Sequence, residues 1–306
     1  VDDFYAARSR TIPPLPWSNI APPFSAIRSV AKLRPKAFTF ENVPHLASGH
    51  RAYFDYLVKA LALPTIAKPD EWSDDAERLD KILASGQTFD PSYVVSVHTL
   101  LAADFGTGQK RKRLFITGIR RDIEAEFEAP APTHSAEQLM EDQWLTGTYW
   151  DRHGLERPIM SDAGLKWLRK HNRNPRDLFA PRLEAHRTVR DVLASIPDDA
   201  ANNEAAPREA KAYKGHTGSP IDEASKTLRA GDHGVSGGEN MIQYNDLIPI
   251  RYRHYTVREA AAISDFPHDY RFDGTWSDGL KQIGNAVPCN LGKAMGQSLK
   301  QTLLAT

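Results

Sequence analysis

Cysteine is almost missing from this chain: 306 residues contain one, Cys289. A single thiol excludes an internal disulfide framework and a thiolate-rich zinc site, and it suits a reducing cytoplasm. Charge of one sign is not in excess either. Lys plus Arg and Asp plus Glu stand at 39 each, so no global basic field announces a polyanionic partner. No apolar run is long enough to cross a bilayer, and the opening Val1-Asp2-Asp3-Phe4-Tyr5 lacks a basic-then-apolar secretory pattern. A cytoplasmic protein with no membrane partner is the expectation. Because Val1 rather than Met opens the chain, it is expected to be a piece of something longer or the product of a non-standard start codon. His216, His233 and His254 have no metal-ligand spacing, so no metal is expected. No repeat of fixed period is found.

What is present is ordinary globular material, 41% hydrophobic and 25% charged, enough for one large domain or two. Residues 1–22 are proline-rich and read as an irregular lead-in. Phe24, Ile27, Val30 and Ala31 have helical spacing, and Pro35 closes that helix. Ala37 to Phe40 reads as a short strand that delivers Glu41 at its end. His50 to Leu63 is helical, with Tyr53, Leu57 and Leu61 on one side. A polar insertion follows, and then Tyr93 to Val97 and Leu114 to Gly118 read as strands. Alternating helices and strands of this kind suggest an α/β layer.

Near Ala129-Pro130-Ala131-Pro132 the character changes to polar, loop-rich sequence with aromatic patches (Trp144, Tyr149, Trp150, Trp167) and a glycine-studded stretch from Gly215 to Gly238. Helical periodicity returns at Val257 to Ile263 and at Leu291 to Leu304. Leu165 to Arg190 carries eight Lys or Arg against two acids. Such a stretch suits a DNA-facing surface or, equally, a solvated helix face.

Four short blocks could carry chemistry. Glu41 falls at the carboxyl end of a strand, where doubly wound sheets meet their ligands; taken alone it is more often a surface acid or a helix cap. The Arg111 and Arg113 side chains alternate onto one side of Gln109-x-Arg111-x-Arg113. That suits one guanidinium on a base oxygen and another on phosphate, or a basic edge strand that discourages aggregation. Thr256 with Glu259 three residues on fits a capping box. Gly284-Asn285-Ala286-Val287-Pro288 reads as a tight turn before the last helix, with the Asn amide able to reach a small ligand.

Glu41-Asn42-Val43, the Gln109 to Arg113 block, Tyr255 to Ala261 with Phe266-Pro267, and Gly284 to Pro288 occur in an order and at spacings that resemble the later motifs of the DNA cytosine-5 methyltransferases. Thr133 to Trp150 and Thr217 to Asn240 resemble the recognition domain of one bacterial branch. The resemblance runs from about Phe24 to about Leu299. It implies a partial doubly wound α/β sheet of the S-adenosylmethionine-dependent methyltransferase kind over residues 1–128. A smaller mixed target-recognition domain would occupy 129–254, and a C-terminal segment would return to the catalytic domain over 255–306. It also implies a substrate, double-stranded DNA with a cytosine taken out of the stack, and a cofactor, S-adenosylmethionine.

Carried over motif by motif, the resemblance makes Glu41 the carboxyl group that stabilises the activated cytosine. Arg113 and Arg111 would hold the base and neighbouring backbone, with Gln109 supporting them against the DNA. Asn285 and Ala286 would lie against the cofactor. Arg258, with Glu259, would organise the joint between domains and the DNA-binding surface. The family's Pro-Cys-Gln nucleophile loop and opening glycine-rich cofactor loop are not in the sequence. Two readings follow: part of a methyltransferase that works with a complementing chain carrying the nucleophile, or a catalytically inactive relative that still binds DNA. A nuclease is a distant third, since no paired-carboxylate and lysine cluster stands out.

Overall fold

A computed structural model describes residues 21–173, 182–203, 206–230, 238–245, 247 and 249–305. The proline-rich lead-in, all but its last two residues, lies outside these, as do parts of the basic 165–190 stretch and of the glycine-studded stretch. The chain forms two compact units. One comprises Val1–His98, Leu114–Phe127 and Thr302–Thr306; the other comprises Thr99–Arg113 and Glu128–Gln301.

The first unit is built from α1 (Ala21–Leu33), β1 (Ala37–Asn42), α2 (His45–Gly49), α3 (Arg51–Ala62), α4 (Trp72–Ser85), most of β2 (Tyr93–Leu101) and most of β3 (Lys112–Arg120). The sheet order is β1-β3-β2, and β1 runs antiparallel to β3 in the register Ala37↔Ile119 to Asn42↔Leu114. Phe24, Ile27 and Val30 of α1 and Leu57 and Leu61 of α3 are buried with Phe38, Tyr93, Leu114 and Ile116. The apolar spacing seen in the sequence is therefore the packing face. Thr39 and Thr117, directly opposed in register, bring their hydroxyls to 3.2 Å on the ladder's other side.

The polar insertion is not a loop. It forms α4, whose Trp72, Ala76, Leu79 and Ile82 face the same core. Its acids obscured that stripe, yet they have local roles. Asp74 and Asp75 occupy the first turn, where the helix dipole favours negative charge, and left-handed Gly86 ends the helix. The buried Asp75 carboxylate accepts from Tyr56 Oη (3.2 Å), the Lys68 amide (2.6 Å) and Arg78 Nε (2.6 Å). Three donors make burial of that charge tolerable.

The second unit continues with β4 (His134–Ser135), α5 (Ala136–Glu141), α6 (Thr148–Arg152), α7 (Asp162–Arg173), β5 (Glu184–Ala185) and α8 (Val189–Leu193). Next come β6 (Ser219–Pro220), β7 (Met241–Tyr244), β8 (Arg251–His254), α9 (Val257–Ile263) and α10 (Trp276–Asn285), and α11 (Cys289–Leu304) ends the chain. Order β6-β7-β8 forms a small mixed sheet, parallel then antiparallel. Val189, Val192, Ile221, Leu228, Ile242 and Tyr255 share a core with Ala260 to Ile263, Leu280 and Ile283. An aromatic cluster of Trp144, Tyr149 and Trp150 with Leu139 forms a further core.

A mixed α/β chain is thus found, and the longer part of the second unit begins at Glu128. The grouping of the C-terminal segment differs from expectation. Residues 255–301 pack with 128–254, and residues 99–113 join them. The cause is local. β8 runs directly into α9, and α9 contributes Ala260 to Ile263 to the same core as α8 and β7.

Candidate functional site

Gln109, Arg111 and Arg113 are buried, while Lys110 and Lys112 between them are exposed. The alternation read from the sequence is therefore present, but in the second unit its arginine side faces inward. Arg111 donates from Nη1 to the Leu228 carbonyl at 2.8 Å and from Nη2 to the Gly284 carbonyl at 2.5 Å. Gln109 donates to Ser264 Oγ at 2.7 Å and accepts from the Leu228 amide at 3.3 Å. Arg113 donates to the Lys112 carbonyl at 2.9 Å. Carbonyl oxygens, whose dipoles complement a guanidinium, take the place expected for phosphate.

Arg258 is fully buried, and its Nη1 lies 3.0–3.3 Å from the carbonyls of Ala201, Pro267, His268 and Tyr270. The expectation that Gln109, Arg111 and Arg258 touch DNA directly is corrected here, because these three side chains have essentially no surface to offer. Arg258 instead draws together the loop that follows α9. Thr256 caps α9 as the sequence indicates, with both halves of the capping box present. Glu259 also accepts a two-point bond from Arg253, both contacts at 2.7 Å, which the sequence did not show.

The Gly284 to Pro288 block is a sharp break between two helices. α10 ends at Asn285, Ala286 is extended (φ −73, ψ 154) and α11 begins at Cys289. Val287, immediately before Pro288, is biased away from helical backbone, so the two helices cannot run on as one. Gly284 is required for packing: a Cβ there would sit 2.3 Å from the Ala230 amide nitrogen. Thus the glycine admits the chain's own backbone, while Asn285 beside it is exposed and Ala286 half-buried. Asn285 therefore presents its side chain at the surface, and no glycine-rich loop accompanies it in the sequence.

In the first unit, Glu41 is the penultimate residue of β1 and half-buried, with one carboxylate oxygen shielded from solvent. It lines a cavity of about 180 Å³ together with Phe40, Asn42, Leu46, Leu57 and Ile116. A carboxyl group on a mostly apolar wall, with Asn42 beside it, suits recognition of a small polar ring edge. Among the described residues no cluster of His, Cys, Asp and Glu could hold a metal, and no helix is long and apolar enough to cross a membrane.

One group went unnoticed in the sequence. Asp265, at φ +60, accepts from Thr107 Oγ1 at 2.6 Å, and Arg187 Nη1 lies 3.6 Å away. Burial pushes its carboxyl up to about 6, against the lowering influence of Thr107 and Arg187. Nothing in Ser264-Asp265-Phe266 betrays this, since the burying residues are distant in sequence. Half-buried Cys289 has its thiol pushed up by burial and by the Asp265 charge, the opposite of what a nucleophilic thiolate needs.

A family model described as C-5 cytosine-specific DNA methylase matches residues 71–301, which include Gln109, Arg111, Arg113, Arg258, Asn285 and Ala286. The chain belongs to that family. Among its relatives, the type II methyltransferase M.FnuDI of Fusobacterium nucleatum is 28% identical over 221 residues, covering 69% of this chain and 56% of the relative. M.XorII of Xanthomonas oryzae pv. oryzae is 27% identical over 305 residues, covering 90% and 61%. This methylase-family chain therefore spans about three-fifths of the length of the curated relatives it matches. A crystal structure of the S. pombe Dnmt2 methyltransferase aligns over 89% of this chain and 66% of its own at 13% identity, with a TM-score of 0.45.

Two outcomes follow for this site. Replacing Arg258 with Ala or Lys should lower unfolding stability by about 3 kcal/mol, because several carbonyls lose a planar donor that a Lys cannot imitate. Denaturant melts check this, and a Lys variant as stable as the parent contradicts it. The second outcome concerns pH. A carboxyl whose folded value is raised binds its proton more tightly when folded, so its contribution is full below pH 4 and is lost as pH rises through 6. The loss is at most about 3 kcal/mol for a shift of this size. Asp265→Asn should flatten the stability profile between pH 4 and 6.5; parallel profiles for parent and variant contradict the assignment.

Proposed function

We propose that this chain is the base- and duplex-engaging portion of a DNA (cytosine-5)-methyltransferase, and that it works with a polypeptide that supplies the nucleophilic cysteine and most of the cofactor site. The observation that carries the reading is the family match over residues 71–301 in a sequence whose sole cysteine, Cys289, is half-buried and disfavoured as a thiolate. Three-fifths coverage of its relatives supports a division of labour between this chain and further sequence.

In this proposal the target cytosine leaves the stack, since its carbon 5 is out of reach within the duplex. Glu41 is the group that acts on it. Its carboxyl hydrogen-bonds the ring nitrogen and exocyclic amine, which draws electron density from carbon 6 and favours attack there by a thiolate from the complementing polypeptide. Arg113 holds the base oxygen. Arg111 and Gln109 position Arg113 through the backbone they anchor rather than by touching DNA. After methyl transfer to carbon 5, a base removes the proton at that carbon and the thiolate leaves, restoring the ring. S-adenosylmethionine would supply the methyl group; Asn285 and Ala286 could line one side of its site, but the residues of this chain do not by themselves make a full one. The inactive DNA-binding relative remains the competing reading, favoured by the same lack of a nucleophile.

Glu41→Gln, assayed in the reconstituted enzyme, should lower methylation at least a hundredfold, the usual scale for losing a positioned acid–base group, while duplex affinity stays within about twofold. Equal losses in both would make Glu41 structural.

A further inference from the structure

A cavity of about 360 Å³ lies in the second unit between the starts of α9 and α10. Phe272, Val257, Ala206 and Trp276 give it an apolar wall, and Thr256, Thr275 and Asn202 also line it. Each of those three polar side chains is already committed. Thr256 and Thr275 close the capping boxes of their own helices. Asn202 donates to the Phe272 carbonyl at 3.0 Å and accepts from its amide at 2.9 Å. The Trp276 indole donates to the Tyr255 carbonyl at 2.8 Å, and the Tyr255 hydroxyl to Ser225 Oγ at 3.0 Å.

Arg208 is the exception on this lining. It is exposed, its guanidinium carbon lies 5.3 Å from the centre of the Trp276 ring, and its side chain has no hydrogen-bond or ion-pair partner among the described residues. Its backbone, by contrast, is pinned. The Arg208 carbonyl accepts from the His254 amide at 2.8 Å, and Glu209 bridges Arg253 beside it. Stacking occupies the flat face of a guanidinium and leaves the N–H fork at its edge unused. The acids of the two adjoining caps are engaged elsewhere. Glu259 is held by Arg253 through two contacts at 2.7 Å, and Asp278 is turned onto Thr275 at 2.7–2.9 Å.

We infer that this cavity is a binding site for a small aromatic carboxylate, with its ring against Trp276 and Phe272 and its carboxylate on Arg208. The lining sets each part of that ligand. A wall of aromatic and aliphatic side chains takes a flat apolar body. One uncommitted fork matches the two oxygens of one carboxylate. A phosphate monoester brings a second charge and a third acceptor oxygen, and no other side-chain donor on the lining is unpaired among the described residues. At a water-like volume of about 30 Å³ per atom, the space admits roughly a dozen non-hydrogen atoms. None of Glu41, Gln109, Arg111, Arg113, Asn285 and Ala286 lines the cavity, so this ligand is additional to base and cofactor. Because the cavity joins two helix starts, its occupant should also stabilise the second unit.

The test is isothermal titration of the full chain with indole-3-acetate, set against its neutral isostere indole-3-acetamide and against phenyl phosphate. The parent should bind indole-3-acetate with a Kd of about 1 mM or below, the scale set by a ligand of this size. Indole-3-acetamide should bind at least about tenfold more weakly, because it lacks the charge that Arg208 meets. Arg208→Gln should weaken indole-3-acetate by on the order of tenfold or more. Since Arg208 makes no side-chain bond within the fold, thermal unfolding of the free variant should stay near that of the parent. Arg251→Gln, at an exposed arginine of the same unit that does not line the cavity, should bind as the parent does. No binding of indole-3-acetate by the parent at any soluble concentration, or equal affinity in the parent and Arg208→Gln, overturns the assignment. Tighter binding of phenyl phosphate than of indole-3-acetate overturns the choice of a carboxylate.

Discussion

A buried guanidinium with two carbonyl partners is the constraint on which the second unit depends. Arg111 is separated by more than a hundred residues from Leu228 and Gly284, and it bonds the backbone of both. A cation taken out of water must be satisfied by the fold around it, so the strand leading into β3, the loop at 228–230 and the end of α10 are all fixed by one side chain. Gln109 adds a second tie to the same loop and to Ser264 after α9. Arg258 repeats the device on the other side of α9, against the carbonyls of residues 201 and 267–270. Polar residues that a motif search treats as chemistry are here the fasteners of an unusually loop-rich core.

This arrangement explains how a unit with so little regular structure keeps a defined shape. Its sheets are short, and much of its backbone lies outside helix or strand. Backbone groups in such segments still need partners. Side chains supply them: Asn240 bonds both the amide and the carbonyl of Arg229, and Asn202 does the same at Phe272. Tyr149 adds a buried link between α6 and Asp222, at 2.7 Å, which Arg190 also holds. Exposed Lys110, Lys112 and Asn285 are then carried on a frame that does not depend on them.

Much of the fold was legible because periodicity reports burial. The stripes of α1, α3 and α9, the capping box at Thr256 and the break at Gly284 to Pro288 all appear where their spacing places them. α4 was hidden because charged residues are interspersed through its apolar ones, though Trp72, Ala76, Leu79 and Ile82 still trace a stripe. Side-chain direction was less accessible. Alternation in Gln109 to Arg113 showed that the odd residues share a side, but not that this side turns inward, because Leu228 and Gly284 are set by the tertiary fold. Asp265 is the same case: its environment comes from Thr107 and Arg187, far away in sequence.

The chemistry therefore divides into what these residues can hold and what they cannot start. Glu41, on the wall of a small apolar cavity, can recognise a ring edge; Cys289 is placed to stay protonated. The most direct measurement is covalent trapping on duplex DNA carrying 5-fluorocytosine, in the presence of methyl donor, with and without a polypeptide bearing the Pro-Cys-Gln loop. The account predicts a stable protein–DNA adduct only when both polypeptides are present, with the crosslinked cysteine on the added one. An adduct formed by this chain alone, or none with the complementing polypeptide supplied, would contradict it.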